Sequence, residues 1–367
     1  MHLAELDFFE ISKNLVKGIY YVKPRFLVTR TKDLMIKGRK FYAVWLPDRA
    51  RWSTDIDDVV DLVDFETKRY CKENSQEDVA YRPLLMYYSD SGVIDQWNKY
   101  VEKQMHDNYK TLNSKLIFAD QTPKREDYST QALDYSMSKT ETPAYNELME
   151  TLYDPEELKK LEVAIGCVIA GDSTTWQKMI LLSGPPKSGK STALKIIRML
   201  FGPYCGTIDL KAIVTGRSDF ALESIANNPL VAITDDTDMS KVVDNTMLNS
   251  LISHEPLIVN KKYTSLYTQS FQTMIFAGSN YDCRITDSQS GIIRRLIDVE
   301  PSGRTVPLER YQELMKTIKF ELGGIAYHCL QVYNHNKTKY DDYVPVRMLR
   351  NTNYVYSFLE ENCWNLF

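Results

Sequence analysis

Residues 179–200, MILLSGPPKSGKSTALKIIRML, leave a chain little choice of local fold. An apolar run of strand length leads into a loop stripped of side chains at Gly184 and Gly189, and a run with helical spacing follows. In the pattern G-x-x-x-x-G-K-S, the backbone N–H groups of the turn and the positive end of the next helix make a nest for phosphate oxygens. Gly184, Pro185, Pro186, Lys187, Ser188, Gly189, Lys190, Ser191 and Thr192 are therefore the candidate loop for a nucleoside triphosphate, with ATP expected. Lys190 is placed to reach the β- and γ-phosphates, and Ser191 to offer its hydroxyl to Mg2+. Further downstream, strand-like apolar runs alternate with helical ones, so the spacing predicts an α/β core with a parallel sheet layered between helices.

Four later segments carry chemistry that suits such a loop. In PLVAITDDTD a short buried-strand run ends in Asp235 and Asp236. One carboxylate, assigned to Asp235, is expected to join Ser191 in holding Mg2+, and its neighbour to orient an attacking water. The run QTMIFAGSN ends in Asn280, whose amide can touch a terminal phosphate or position that water. In SGIIRRLIDVEP the adjacent Arg294 and Arg295 border an apolar run, a costly place for guanidinium groups unless they meet anions. Between the second and third strands, EPLIVNKKYTSLYTQSF reads as a hairpin lifting Lys261, Lys262 and Tyr263 off the core. Cations that track phosphates beside a ring that stacks suit a single strand of nucleic acid. Taken one at a time, the same segments also read as a solvated turn, a strand-ending turn residue, a surface ion-pair patch and a solvated hairpin tip.

Bulk properties restrict the partners. The net charge is −4 and the pI near 5.9, so any grip on nucleic acid has to be local. The 6 cysteines form no C-x-x-C pair and the 5 histidines do not cluster with them, which argues against structural zinc or a disulfide frame. The opening MHLAELDFFE is acidic rather than a basic leader, and no apolar run has the length of a membrane span. The expectation is a soluble cytoplasmic protein with no membrane partner.

Upstream of the core, RFLVTRTKDLMIKGRKFYAVWLP predicts two or three strands around Gly38. STDIDDVVDLVDFETKRYCKEN predicts a helix capped by Ser53 or Thr54, and GVIDQWNKYVEKQMHDNY a second. Residues 23–40 hold seven basic residues against one acidic, a second DNA contact, a subunit-docking surface or a solvated strand face. The polar stretch ADQTPKREDYSTQALDYSMSKTETP predicts a linker. Pro143 and the Asp154–Pro155 pair open two helices, the second stopping near Gly171. ERYQELMKTIKFELGGIAYHCLQVYNH predicts a helix broken or kinked at Gly323–Gly324.

In this order the segments resemble a superfamily 3 helicase of the phage/plasmid-primase and poxvirus D5-like branch. GPPKSGKST is similar to its Walker A motif, LVAITDD to Walker B, PLIVNKKYTSLYTQSF to the B-prime motif, MIFAGSN to motif C and IIRRLIDVEP to the arginine-finger segment. The resemblance implies an AAA+-like P-loop core with Asn280 as sensor, Arg295 as the finger with Arg294 beside it, and Lys262 with Tyr263 at a DNA-contacting tip. It implies an ATP-driven helicase or translocase on single-stranded DNA in viral or plasmid replication. It further implies a homo-oligomeric ring of six copies, and a fused or partner primase or polymerase. The organisation expected is an N-terminal α+β domain over 1–140, a helical collar or linker over 141–172, the ATPase core over 173–305 and a helical region over 306–367. Asp236 stands where many relatives have Glu, and Glu255–Pro256 where they have glycine.

Two other classes fit a P-loop. A small-molecule kinase requires lid arginines and an acceptor pocket within one subunit. An ATP-switched replication scaffold or loader requires binding without turnover, against which the two Walker B acids argue.

Overall fold

The computed structural model describes residues 6–14, 18–26, 33–37, 40–84, 97, 99, 101–103, 110–113, 115–215, 220–237, 245–260, 266–280 and 291–346. The chain divides into two compact units, residues 1–117 with 121–132, and residues 118–120 with 133–367.

In the first unit, β1 (Leu6–Asn14), which the acidic opening had not suggested, pairs antiparallel with β2 (Ile19–Phe26). β3 (Leu34–Lys37), β4 (Lys40–Leu46) and β5 (Arg51–Ser53) form an antiparallel sheet; Gly38, the expected turn signal, lies outside the described residues. Then come α1 (Ile56–Asn74) and β6 (Ala80–Pro83), which joins β2 in parallel. The cap of α1 is neither Ser53 nor Thr54: the Asp55 carboxylate accepts from the Asp57 amide at 3.0 Å. Ser53 instead accepts from the Asp55 amide and donates to Asp58, which braces the entry to the helix one residue earlier. The second predicted helix is described only at Trp97, Lys99 and 101–103, where Trp97 and Val101 are buried against Leu34, Val44 and Val59. The polar stretch after it is ordered: Ser129 and Gln131 are buried, and the Arg125 carbonyl accepts from Trp52 Nε1 at 2.7 Å.

The second unit opens with α2 (Pro143–Leu152) and α3 (Pro155–Ala170), both with proline in the first turn as expected. Gly171, at φ +77°, ends α3 in the left-handed region. After α4 (Ser173–Trp176) come β7 (Met179–Ser183), α5 (Lys190–Phe201), β8 (Cys205–Thr207), α6 (Leu210–Thr215) and β9 (Val231–Thr234). α7 (Thr246–Ile252) leads to the β10 (Leu257–Val259) and β11 (Tyr267–Gln269) hairpin, then β12 (Met274–Ser279), β13 (Leu296–Val299) and α8 (Leu308–His335). The main sheet has the order β13-β7-β12-β9-β8, with every neighbour parallel. All residues of β7, β9, β12 and β13 are buried, as a sheet covered on both faces requires. Each Leu, Ile or Val packed there contributes roughly 1.5–3 kcal/mol of transfer free energy. The fold class is thus α/β, with a five-stranded parallel sheet between helices, small sheets nearer the N-terminus and a long helix after the core.

The break expected at Gly323–Gly324 is absent, and α8 runs through both residues. The two glycines serve packing instead, because a Cβ on Gly323 would stand 2.0 Å from the Ser136 carbonyl oxygen, and one on Gly324 2.7 Å from Thr140 Oγ1. Gly166 does the same where α3 meets α8: its Cβ would lie 2.1 Å from the Cys329 carbonyl oxygen. Among the described residues, no helix is long and apolar enough to cross a membrane.

Candidate functional site

The phosphate-loop pattern sits where the sheet puts its carboxyl ends. β7 stops at Ser183, and the chain turns through Gly184 at φ +156°, Lys187 at φ +64° and Gly189 at φ +111° before α5 begins at Lys190. Gly189 has a second reason to be glycine, since a Cβ would come within 3.1 Å of Leu152. The loop leans on the neighbouring strand through the Gly184 amide, which donates to the Ser279 carbonyl at 3.3 Å.

Lys190 is buried, and its Nζ donates to the carbonyls of Gly184 at 2.7 Å and Pro185 at 2.9 Å. Burial lowers the ammonium below its ordinary pKa, while Asp236 opposes the shift. No carboxylate among the described residues forms an ion pair with it. A buried cation held only by carbonyls can exchange those bonds for phosphate oxygens. The Ser188 hydroxyl in the same loop is buried without a hydrogen-bond partner, a donor left open towards an acceptor. Ser191 and the exposed side of the loop face solvent. These features fit a nucleotide phosphate chain, with the Ser191 hydroxyl and a neighbouring aspartate as the groups to hold a divalent cation.

Asp235, Asp236 and Asn280 all line the same cavity of about 410 Å³. Because β12 lies between β7 and β9, Asn280 at its tip stands between the loop and the acid pair. Asn280 Nδ2 donates to Asp236 Oδ1 at 3.2 Å. Asp235 is held differently: Arg198 of α5 donates from Nη2 to its Oδ2 at 2.6 Å. The carboxylate assigned to the metal is therefore the one committed to a guanidinium, and Asp236 is the one that faces Lys190. Sequence reasoning missed Arg198, which has no motif position, and it missed the apolar end of the cavity. That end is lined by Leu148 and Leu152 of α2 with Val306 and Tyr311 near the start of α8. Only tertiary packing brings those helices to the loop.

Arg294 and Arg295 sit at the other end of the sheet. β13 runs parallel to β7 with Leu296 opposite Met179, so both arginines flank the start of β7, about 13 Å of strand away from the loop. Arg295, expected to be the finger, is tied into its own subunit by Nε to Ser253 Oγ at 2.8 Å and Nη1 to the Gly291 carbonyl at 2.7 Å. Burial, with Arg294 beside it, lowers its pKa. Arg294 is exposed, and no described hydrogen bond or ion pair engages its guanidinium; of the two it is the one placed to reach outward. Its backbone carbonyl is held by the buried Lys178, whose Nζ donates to it at 2.6 Å and to the Asp341 carbonyl at 2.7 Å. The basic hairpin tip, Lys261, Lys262 and Tyr263, lies outside the described residues. Its flanking strands pair antiparallel, with Val259 opposite Tyr267, and Ile258 and Leu266 beside the tip are exposed.

A family model described as "Family of unknown function (DUF5906)" matches residues 182–295, the span from the phosphate loop to the arginine pair. Among solved structures, the A form apo structure of the NrS-1 C-terminal region (305–718) is similar with a TM-score of 0.51 at 12% identity, over 83% of this chain and 68% of that one. A second apo structure of that region gives 0.44 at 14% identity, over 57% of this chain and 54% of that one. The chain thus spans about half the length of the latter. At such identity the first likeness is one of fold, and the chain shares its architecture with the NrS-1 C-terminal region.

Proposed function

We propose that the protein hydrolyses ATP to move single-stranded DNA, as a helicase or translocase in the replication of a viral or plasmid genome. The observation that carries the reading is the meeting of Lys190, Asp236 and Asn280 in one cavity at the carboxyl ends of the sheet. Lys190 binds phosphate oxygens, Asn280 orients a water against the terminal phosphate, and Asp236 takes up the proton of that water. Bound Mg2+ would supply charge neutralisation on the phosphates.

The far placement of Arg294 supports a ring of copies. An arginine at the opposite end of β7 cannot reach its own loop, so it serves a nucleotide on an adjoining copy or none. A kinase with its lid arginine in the same subunit fits this geometry poorly. The antiparallel pairing of β10 and β11 supports the hairpin expected to carry Lys261, Lys262 and Tyr263, which suits an element that tracks a strand. The fold shared with the NrS-1 C-terminal region is compatible with a replication role.

The test compares ATP turnover with and without single-stranded DNA for the wild type, Lys190→Ala and Arg294→Ala. DNA should stimulate the wild type, either change should abolish turnover, and mixing the two inactive proteins should restore part of it. Turnover indifferent to DNA, or an Arg294→Ala protein as active as wild type, overturns the reading.

A further inference from the structure

The sheet of β1, β2 and β6 in the first unit has two unlike faces. One is covered by α1: Phe8 stacks on Tyr70 with ring centroids 4.3 Å apart, Tyr81 meets the edge of Tyr70 at 6.5 Å, and Val22 is fully buried. Residues on the opposite face follow from the register, in which Asp7 pairs with Arg25, Phe9 with Lys23 and Tyr21 with Arg82. Ile11 stands at the bulge between Glu10 and Ser12. On this face Phe9 is 42% exposed, and Ile11 at the bulge is 49% exposed, in a protein that buries most of its large apolar side chains. Exposed aromatic and aliphatic groups on an ordered sheet cost solvation free energy and mark a surface with a partner.

The charges say which partner. Lys23, Arg25 and Arg82 bring three cations to the face against the single carboxylate of Asp7. The Arg25 guanidinium lies 4.4 Å from the Phe9 ring centroid, and Asp7 holds it there through a 2.9 Å bond from Nη2. A flat guanidinium stacked on a ring is a ready platform for a planar base, and Tyr21 offers a second ring two residues along β2 from Lys23, roughly 7 Å away. Cations spaced between rings match alternating phosphates and bases.

We infer that the open face of β1, β2 and β6 binds a single strand of nucleic acid, with Phe9, Arg25 and Tyr21 stacking bases and Lys23 and Arg82 meeting phosphates. The inference takes from the proposed function only the class of partner. It gives the protein a second strand contact on a unit separate from the phosphate loop, which would retain DNA while the core turns over.

The test measures binding of a fluorescein-labelled oligothymidylate to the full chain by anisotropy, without nucleotide, in a Lys262→Ala background that removes the hairpin contribution. Phe9→Ala should weaken binding about tenfold. Lys23→Gln and Arg82→Gln should each reduce the salt dependence of log K by roughly 0.7. All three are exposed or half-exposed positions, and a thermal melt identifies any variant that fails to fold, for which Arg25→Gln is the substitute. DNA-independent ATP turnover should not change, since none of these residues touches that site. Unchanged affinity and salt slope in the folded variants overturn the inference. So does an altered sedimentation profile with DNA binding intact, which would make the face a contact between copies. Absent ATP turnover in the wild type would sink the hydrolase reading yet leave this binding result standing.

Discussion

Arg198 and Asp235 form an ion pair at 2.6 Å between the helix that follows the phosphate loop and the end of β9. Arg198 Nη1 is buried without a partner, so the guanidinium is committed through one nitrogen only. The pair engages Asp235 Oδ2, where it would compete with a cation, and Arg198→Gln should release that oxygen. Half-saturating Mg2+ in ATP hydrolysis is expected to fall by up to about fivefold, the equivalent of the ~1 kcal/mol typical of a half-exposed pair. A magnesium titration of both proteins checks this, and an unchanged midpoint removes Arg198 from the account.

Asn280 donates to Asp236 and lines the same cavity as Lys190. Asn280→Ala keeps the fold, because the side chain is exposed at a strand tip. Turnover should fall about a hundredfold, as for loss of one positioned polar group, with nucleotide affinity nearly unchanged. Equal losses in affinity and turnover would mean that Asn280 only binds.

Glu321 of α8 caps a helix far away in sequence. Its buried carboxylate accepts from the Ala144 amide at 3.0 Å and the Tyr145 amide at 2.9 Å, two open donors in the first turn of α2. Glu321→Ala should cost about 1–3 kcal/mol in urea unfolding by leaving those donors unpaired. A smaller loss would show that water replaces the carboxylate.

Gly323→Ala separates intrinsic propensity from packing. Alanine favours a helix interior over glycine by about 1 kcal/mol, yet the new Cβ would stand 2.0 Å from the Ser136 carbonyl oxygen. Overpacking of that kind costs about 1–3 kcal/mol, so a lower melting temperature is expected despite the better helix former.

His328 of α8 bonds Glu162 of α3 at 3.0 Å, and that bond raises the imidazole pKa against the opposing effect of burial. A raised pKa in the folded state contributes stability that is complete below the unfolded value of about 6.5 and is lost as pH climbs through the folded value. The melting-temperature advantage of wild type over His328→Gln should therefore be larger near pH 6 than near pH 9. A difference that grows with pH would reverse the assignment.

Much of this protein was legible locally. The phosphate loop, its strand and helix, the Asp235–Asp236 strand end, the Asn280 strand and both proline-led helices follow from glycine and proline geometry and from apolar runs, which act over a few residues. A turn needs its own glycine, and a buried strand its own side chains, whatever the rest of the chain does. Strand order, the commitment of Asp235 to Arg198, the tying down of Arg295 and the close approach that makes Gly323–Gly324 a packing site rather than a break were decided only by tertiary structure. Each depends on a partner 37 to 187 positions away, or on which strand lies beside which, and no local preference carries that information.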